Sequence, residues 1–220
     1  MRERERIGIL GGTFDPVHYA HLAIAEEVYC ALHLTRVLFV PAGQPPHKIG
    51  EQITPAEHRV AMLELAIRAN PHFSLSLVDV ERDGPSYTVD TLRLLRSEWG
   101  PDASFYFVIG GDSLRDLPTW YDPAGILDQA TIVALLRPGY ADVEAERAML
   151  VARLPALKQR LIVVEGPRMD LSSTELRRRV ATGRPIKYQT PDEVEDYIRR
   201  HRLYQKIEGR QEDAHAANAI

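Results

Sequence analysis

Short apolar segments alternate with longer amphipathic segments along most of the chain. Six apolar runs have the length of buried strands, at residues 7–10, 36–40, 73–78, 105–109, 132–136 and 161–164. Six stretches with helical periodicity follow them, at residues 22–32, 55–69, 89–99, 143–153, 173–181 and 191–202. Strands that alternate with helices are typical of parallel α/β proteins. The pattern therefore predicts a Rossmann-like, doubly wound, mostly parallel sheet with flanking helices.

Several predicted helix ends carry terminal signals. Thr54 and Thr190 are each followed by proline and, three residues on, by glutamate, which predicts threonine N-caps with proline at the first helical position. Gly183 predicts a helix end. The length of 220 residues predicts a single domain, over residues 1–205, whose C-terminal part at 172–205 is helical. Residues 206–220 are polar and alanine-rich without apolar periodicity, so we expect a disordered tail.

Polar or glycine-containing turns come directly after four of the predicted strands. They are Gly11-Gly12, Pro41-Ala42-Gly43, Gly110-Gly111-Asp112 and Arg137-Pro138-Gly139. In an open α/β sheet, ligands bind at the carboxyl ends of the strands. The sequence therefore predicts that these four turns meet at one ligand site.

The first of these turns carries the most informative chemistry. Residues 11–21 read GGTFDPVHYAH and lead from a predicted strand into a helix. Glycines let the backbone approach a ligand closely, and a helix N-terminus offers unpaired N–H groups to an anion. His18 and His21 are three residues apart and share a helix face. We expect a nucleotide phosphate chain as ligand, with the imidazoles as donors; a metal pair or a surface pair are the alternative interpretations. The glycines form neither a dinucleotide fingerprint nor a phosphate loop of the GxxxxGK[ST] type.

Composition limits the partners and the compartment. The formal net charge is −4 and the pI about 6.1, so the chain has no overall basic field for nucleic acid, and none is expected as a partner. No apolar run approaches the length of a membrane span, and the charged N-terminus lacks the pattern of a signal peptide. Cys30 is the only cysteine, which excludes an internal disulfide. A cytoplasmic protein is therefore expected.

Two distant segments resemble the signatures of the nucleotidyltransferase superfamily. The HYAH segment around His18 and His21 resembles the H-x-G-H signature, with Ala20 in place of the usual glycine. The segment LSSTELR at residues 171–177 resembles the second signature, I-S-S-T-x-I-R. Alanine is the smallest replacement for glycine, so we expect the helix start to be preserved.

Five further segments resemble one family of that superfamily, the nicotinate-mononucleotide adenylyltransferases of bacteria. They are VPAGQPPHK at 40–48, SYTVDT at 86–91, IGGDS at 109–113, LPTWY at 117–121 and LRPG at 136–139. The resemblance implies transfer of the adenylyl group of ATP to nicotinate mononucleotide, with release of pyrophosphate, in NAD biosynthesis. It also implies Mg²⁺, which would arrive with ATP.

The resemblance assigns roles to individual residues. The implied catalytic residues are His18, His21 and Arg177. The implied ATP-binding residues are Gly11, Gly12, Thr13, Phe14, Gly110, Asp112, Ser173 and Thr174. The implied mononucleotide-binding residues are His47, Lys48, Thr88, Trp120, Tyr121 and Arg137, with Trp120 stacked on the pyridine ring and Asp112 on the adenosine ribose.

Each assignment has a plainer structural alternative. Ser172 and Glu175 form an ordinary capping-box pattern, which also builds the helix N-terminus that a phosphate would use. Asp112 fits a helix N-cap, Trp120 fits a core residue, and Lys48 and Arg137 fit surface charges. For the whole chain, the alternatives are another adenylyltransferase, such as one acting on phosphopantetheine, and a non-catalytic nucleotide sensor. The sequence is compatible with both a monomer and a homo-oligomer.

Overall fold

A six-stranded parallel sheet forms the centre of the molecule. The computed structural model describes residues 5–46, 50–136 and 143–205. The strands are β1 (Arg6–Gly12), β2 (Arg36–Pro41), β3 (Phe73–Leu75), β4 (Ser104–Gly110), β5 (Ala130–Leu136) and β6 (Leu161–Glu165). Their order is β3-β2-β1-β4-β5-β6, and every neighbouring pair is parallel. This is the doubly wound Rossmann order, which confirms the predicted fold class.

Nine α-helices and a short 3-10 helix (Leu117–Thr119) are present in the described ranges. The α-helices are α1 (Tyr19–Ala31), α2 (Ala56–Ile67), α3 (Thr88–Trp99), α4 (Gly111–Asp116), α5 (Pro123–Gln129), α6 (Val143–Arg153), α7 (Leu157–Arg160), α8 (Ser173–Ala181) and α9 (Asp192–Arg200). The sequence pattern missed α4, α5 and α7 because four to seven residues are too few to show a helical period. None of the helices in the described part of the chain is long and apolar enough to cross a membrane.

Most strand positions are apolar because both faces of the sheet are covered. Val37 and Phe39 of β2 pack into one core cluster with residues of α1, α2 and α9, whereas Leu38 and Val40 pack into the other with residues of α3 and α5. This alternation follows from the two-residue period of a strand. It places the helices on both faces and leaves the carboxyl edge of the sheet free for loops.

The predicted threonine N-caps are wrong. Pro55 and Pro191 occupy the N-cap positions of α2 and α9. Thr190 is fully buried, and its hydroxyl donates a hydrogen bond of 2.8 Å to the carbonyl oxygen of Val17. The Thr190 hydroxyl therefore bonds a distant segment of the chain and does not cap α9. The predicted stop at Gly183 is confirmed, since this glycine has φ of +69° just after α8.

Candidate active site

A cavity of about 1150 Å³ opens at the carboxyl edge of the sheet, among the turns that follow β1, β2 and β4 and the last residues of β5. It brings together most of the residues predicted for the site. Among the cavity-lining residues are Gly11, Gly12, Thr13, His18, His21, Thr88, Gly110, Asp112, Trp120, Tyr121, Ser173 and Thr174. Phe14 and Arg177 lie outside the lining. His47, Lys48 and Arg137 fall outside the described residues, so their predicted roles stay predictions.

The two histidines form a stacked pair at the start of α1. The helix begins at Tyr19, three residues earlier than the apolar pattern indicated, so His18 is the N-cap residue and His21 lies in the first turn. Their ring centroids are 3.8 Å apart with an interplanar angle of 20°. Ala20 is buried inside the helix, which confirms that alanine preserves the helix start.

Local hydrogen bonding sets the tautomer of His21. The backbone N–H of His18 donates to Nδ1 of His21 at 3.2 Å. Because Nδ1 accepts, the neutral ring carries its proton on Nε2 and can donate from that nitrogen. His18 is buried, and its Nδ1 atom has no hydrogen-bond partner among the described residues. A buried polar nitrogen without a partner beside a cavity is an expected feature of a ligand site.

Burial keeps both rings neutral. Desolvation lowers the pKa of His18 to about 4, against a backbone hydrogen bond that raises it. Desolvation, together with repulsion from His18, lowers the pKa of His21 to about 3. Near neutral pH the pair therefore offers neutral N–H donors rather than two positive charges.

The low histidine pKa values predict a pH-dependent stability. Between pH 6.5 and about 4 the unfolded chain binds protons that the folded chain does not, so the free energy of unfolding falls as pH falls. Each histidine contributes a slope approaching about 1.4 kcal/mol per pH unit in this window. We expect urea unfolding at pH 7.5 and pH 5.0 to show a smaller loss of stability in a His18→Gln variant than in the original chain. An equal loss in both proteins would contradict the assigned protonation states.

Phe14 shapes the turn from beneath rather than lining the cavity. Its φ is +50°, an uncommon conformation for a bulky residue, and its side chain is 2% exposed. The ring meets the edge of the His21 ring at a centroid distance of 5.0 Å. A Cβ atom at Gly12 would lie 3.0 Å from the Phe14 ring, so glycine provides the room for it. Phe14 thus supports His21, and its predicted contact with ATP stays a prediction.

The N-terminus of α8 lies against the turn that carries His18. Ser172 caps α8 by accepting a hydrogen bond from the backbone N–H of Glu175, whereas the Glu175 carboxylate bonds Arg178, so the structure shows the serine half of the predicted capping box. Ser173 donates its hydroxyl to the carbonyl oxygen of Pro16 at 2.8 Å. Two helix N-termini, those of α1 and α8, therefore face one cavity.

Arg177 joins the same turn from one helical turn further along α8. Its guanidinium donates to the carbonyl oxygen of Asp15 at 2.7 Å and to the hydroxyl of Thr174 at 3.4 Å. The predicted role was a direct phosphate contact. In the structure, Arg177 connects the two signature segments through its bond to Asp15. The spacing of residues in the sequence does not predict this bond.

Aromatic side chains also line the cavity. Trp120 packs edge-on to Phe107 of β4, at a centroid distance of 6.3 Å and an angle of 86°, and is partly buried against the core. Tyr121 is 59% exposed and lies 4.7 Å from the ring of Tyr87. Thr88 begins α3 beside them. Flat apolar faces of this kind suit a planar heterocycle.

Asp112 points into solvent at the mouth of the cavity. Its carboxylate is fully exposed and lies 3.8 Å from the guanidinium of Arg115. The N-cap of α4 is Gly110, so the alternative interpretation of Asp112 as an N-cap is wrong. The carboxylate is therefore free of a capping bond at the position where the ribose was predicted.

The predicted site did not include two buried polar residues of the cavity. Asp79 is buried and accepts hydrogen bonds from the hydroxyl of Thr91, at 2.8 and 2.9 Å, and from Nε of Arg82 at 2.8 Å. Both Asp79 and Thr91 line the cavity. A Cβ atom at Gly43 would lie 2.1 Å from the carbonyl oxygen of Asp79, so the turn after β2 packs directly on this residue. The available signal was a carboxylate placed just after the apolar run at 73–78.

The fold and the site define a protein of the cytidylyltransferase-like class: the profile of that family matches residues 9–179, and the chain belongs to it. The chain is 53% identical over 203 residues to a nicotinate-nucleotide adenylyltransferase of Thermomicrobium roseum, covering 92% of this chain and 93% of the relative. It is 55% identical over 199 residues to the corresponding protein of Roseiflexus sp., covering 90% and 97%. Within the class, the chain is thus a member of the nicotinate-nucleotide adenylyltransferase family.

Solved structures support the same fold. The nicotinic acid mononucleotide adenylyltransferase of Plasmodium falciparum, complexed with NaAD, matches with a TM-score of 0.72 and 22% identity, covering 91% of this chain and 97% of the other. The same enzyme complexed with APC matches with a TM-score of 0.70 and 21% identity, over the same shares of each chain. At this level of identity, the likeness concerns the fold.

Proposed function

We propose that this nucleotidyltransferase transfers the adenylyl group of ATP to nicotinate mononucleotide. The products are nicotinate adenine dinucleotide and pyrophosphate, a step of NAD biosynthesis. The observation that carries the proposal is the stacked pair of neutral histidines where the N-termini of α1 and α8 face one cavity. Helix N-termini and N–H donors together form an anion site, which suits the triphosphate of ATP.

The reaction we propose is a direct displacement at the α-phosphorus. A phosphate oxygen of the mononucleotide forms a new bond to that phosphorus, while the bond to the bridging oxygen of pyrophosphate breaks. Cys30 lies on α1 and outside the cavity lining, so it is not placed to act as a nucleophile, and the proposed displacement uses no covalent enzyme intermediate. The chain then contributes positioning and electrostatic stabilisation.

The two histidines counter the charge that builds up when two phosphates approach. His21 donates from Nε2 because its Nδ1 is already an acceptor. The buried nitrogen of His18 gains a partner when a phosphate enters. The Thr174 hydroxyl and the backbone N–H groups of Ser173, Thr174 and residues 11–13 hold the remaining phosphate oxygens in this proposal, because the Ser173 hydroxyl already donates to Pro16. Phe14 fixes the turn that carries these residues. The guanidinium of Arg177 has further N–H groups besides those that bond Asp15 and Thr174, and in this proposal they donate to a phosphate oxygen.

The two nucleosides occupy opposite parts of the cavity in this proposal. The adenosine ribose lies near Gly110 and the exposed carboxylate of Asp112, which accepts hydrogen bonds from its hydroxyls. The pyridine ring stacks on Trp120 between Thr88 and Tyr121. His47, Lys48 and Arg137 are proposed to bind the mononucleotide phosphate, on the strength of the sequence resemblance alone.

We propose that Mg²⁺ enters as a complex with ATP. Within the described ranges, no group of three or more His, Cys, Asp or Glu side chains is arranged to hold a metal ion. The donors around the histidine pair suit anions, so the cation would be held by phosphate oxygens and water, which is the usual habit of Mg²⁺ at nucleotides. When bound, it neutralises part of the charge on the departing pyrophosphate.

We also propose that the protein is cytoplasmic and has no nucleic acid partner. The net charge of −4 argues against a nucleic acid partner, and the single cysteine agrees with a cytoplasmic location. A monomer and a homo-oligomer both agree with the sequence and the structure.

The test is pyrophosphate release from ATP and Mg²⁺ with three acceptors in parallel. We expect fast turnover with nicotinate mononucleotide, and none without Mg²⁺, because the triphosphate charge is then unshielded. Turnover with phosphopantetheine alone would agree with the proposed ATP site but contradict the proposed pocket for the pyridine ring. Nicotinamide mononucleotide reports how strictly the acid form is preferred. Binding of ATP without turnover of any acceptor would favour the sensor instead.

A further inference from the structure

The largest fully buried side chain of the described structure is an arginine, and the proposed chemistry does not use it. Arg59 lies on α2 and is 1% exposed. Its Nε donates to the carbonyl oxygen of Thr54 at 2.9 Å, one terminal nitrogen donates to the carbonyl oxygen of Thr13 at 2.9 Å, and the other reaches that of Gly43 at 3.5 Å. One planar group thus joins the turn after β1 to the turn after β2 and to the start of α2.

The charge of Arg59 is balanced by a second buried group, Asp15. Asp15 is 2% exposed, and attraction to its carboxylate opposes the lowering of the Arg59 pKa by burial. One oxygen of Asp15 accepts from the hydroxyl of Tyr204 at 2.7 Å, and the other accepts from the backbone N–H of Thr54 at 3.2 Å. Burying two charges costs desolvation energy, and removing either one would leave the other uncompensated, so the two groups depend on each other.

The segment held by this cluster is the one that carries the catalytic pair. Asp15 lies between the strained Phe14 and the residues that lead to His18. The next carbonyl oxygens, those of Pro16 and Val17, are bonded by Ser173 and Thr190 from the C-terminal part of the chain. The backbone from Thr13 to Val17 is therefore fixed by side chains from α2 and from the C-terminal segment, up to Tyr204.

We propose that Arg59, Asp15 and Tyr204 act together as positioning residues that set the orientation of the His18 and His21 rings. None of the three lines the cavity, so they act through the backbone of residues 13–17. The expected effect on kcat rests on the proposed function, whereas the orientation of the two rings does not. Small displacements matter here, because misplacing a reacting group by about 1 Å can lower a rate on the order of 100-fold.

The chain offers a matched pair of tyrosines for the test. Tyr204→Phe removes the hydroxyl that bonds Asp15. Tyr197→Phe removes a hydroxyl on α9 that lies 2.9 Å from Nδ1 of His58 on α2, away from the turn. Each variant loses a partly buried side-chain hydrogen bond between the C-terminal region and another part of the chain, and Tyr204→Phe also loses the contact of its hydroxyl with Sδ of Met62 at 4.0 Å. Tyr197→Phe is therefore the control for a loss of stability, and the melting temperature of both variants is measured.

Two readouts separate positioning from stability. We expect Tyr204→Phe to lower kcat about 10-fold or more, with the KM for nicotinate mononucleotide nearly unchanged, while Tyr197→Phe retains the original kcat. We also expect the imidazole NMR signals of His18 and His21 to shift in Tyr204→Phe and to stay in place in Tyr197→Phe. Arg59→Lys, which keeps the charge but loses the planar fork, should move the same signals and lower kcat further.

The outcomes distinguish this inference from the proposed function. Unshifted histidine signals in Tyr204→Phe and Arg59→Lys, or equal effects from Tyr204→Phe and Tyr197→Phe, would overturn the positioning role. If the original chain turned over none of the acceptors, the proposed function would fail. The NMR comparison would still decide the positioning role, because it needs no turnover.

Discussion

Replacing His18 with alanine is expected to lower kcat for adenylyl transfer by on the order of 100- to 1000-fold. The lost group is a buried imidazole, stacked at 3.8 Å on His21, at the edge of the cavity where the two phosphates would meet. A donor aimed at charge that develops in the transition state is worth roughly that factor in other enzymes. Steady-state pyrophosphate release gives kcat and the KM for each substrate.

The structure indicates that this variant keeps its fold. The bond that sets the tautomer of His21 comes from the backbone N–H of residue 18, and this group survives the substitution. A suitable control is His33→Asn, because His33 is exposed beyond the end of α1 and has φ of +46°, a conformation that asparagine tolerates. We expect the control to turn over normally. A His18→Ala variant with near-normal kcat would remove the histidine from the catalytic proposal.

The sheet could be predicted from the sequence because each strand is apolar on both faces and is followed by a helix or a glycine turn. Residues 105–109 and 132–136 are examples, and both lie within strands of the structure. Ligands bind at the carboxyl ends of such strands, so the sequence also predicted a site at that edge of the sheet, and the cavity lies there. Local pattern was sufficient here because the hydrophobic period and the turn residues act over short distances along the chain.

What the sequence could not give were contacts between distant segments. Thr190 has the pattern of a helix cap, yet its hydroxyl bonds Val17, which lies 173 residues earlier. Arg177 has the pattern of a phosphate ligand, yet it bonds the backbone of Asp15. Arg59 looks like a surface charge of an amphipathic helix, and only the fold places it under two turns of the site. In each case a bond to a distant segment, which the local pattern cannot show, fixes where the side chain lies.

These contacts also explain why the two signature segments occur together. Ser173 and Arg177 of the second segment bond Pro16 and Asp15 of the first. The second segment therefore holds the backbone of the first segment in place, in addition to its proposed contact with phosphate. A change in either segment is expected to affect the other, because the two share these bonds.

Replacing Trp120 with alanine is expected to act on substrate binding rather than on the chemical step. Stacking of an aromatic side chain on a base is worth about 1–3 kcal/mol, so the KM for nicotinate mononucleotide should rise roughly 5- to 150-fold. Trp120 is anchored edge-on against Phe107 of β4, which holds its position while the neighbouring Tyr121 is largely exposed. The KM for ATP should change little, because the histidine pair and the N-terminus of α8 are untouched.

A Trp120→Phe variant tests whether the flat face itself is what matters. Phenylalanine keeps an aromatic ring of smaller area, so its KM for nicotinate mononucleotide should lie between those of the original chain and of Trp120→Ala. If both variants kept the original KM, the ring would bind elsewhere in the cavity. If both instead lost kcat and ATP affinity together, Trp120 would be supporting β4 and the turn at Gly110 through its contact with Phe107. A rise in the mononucleotide KM alone, graded by ring size, is the result that stacking requires.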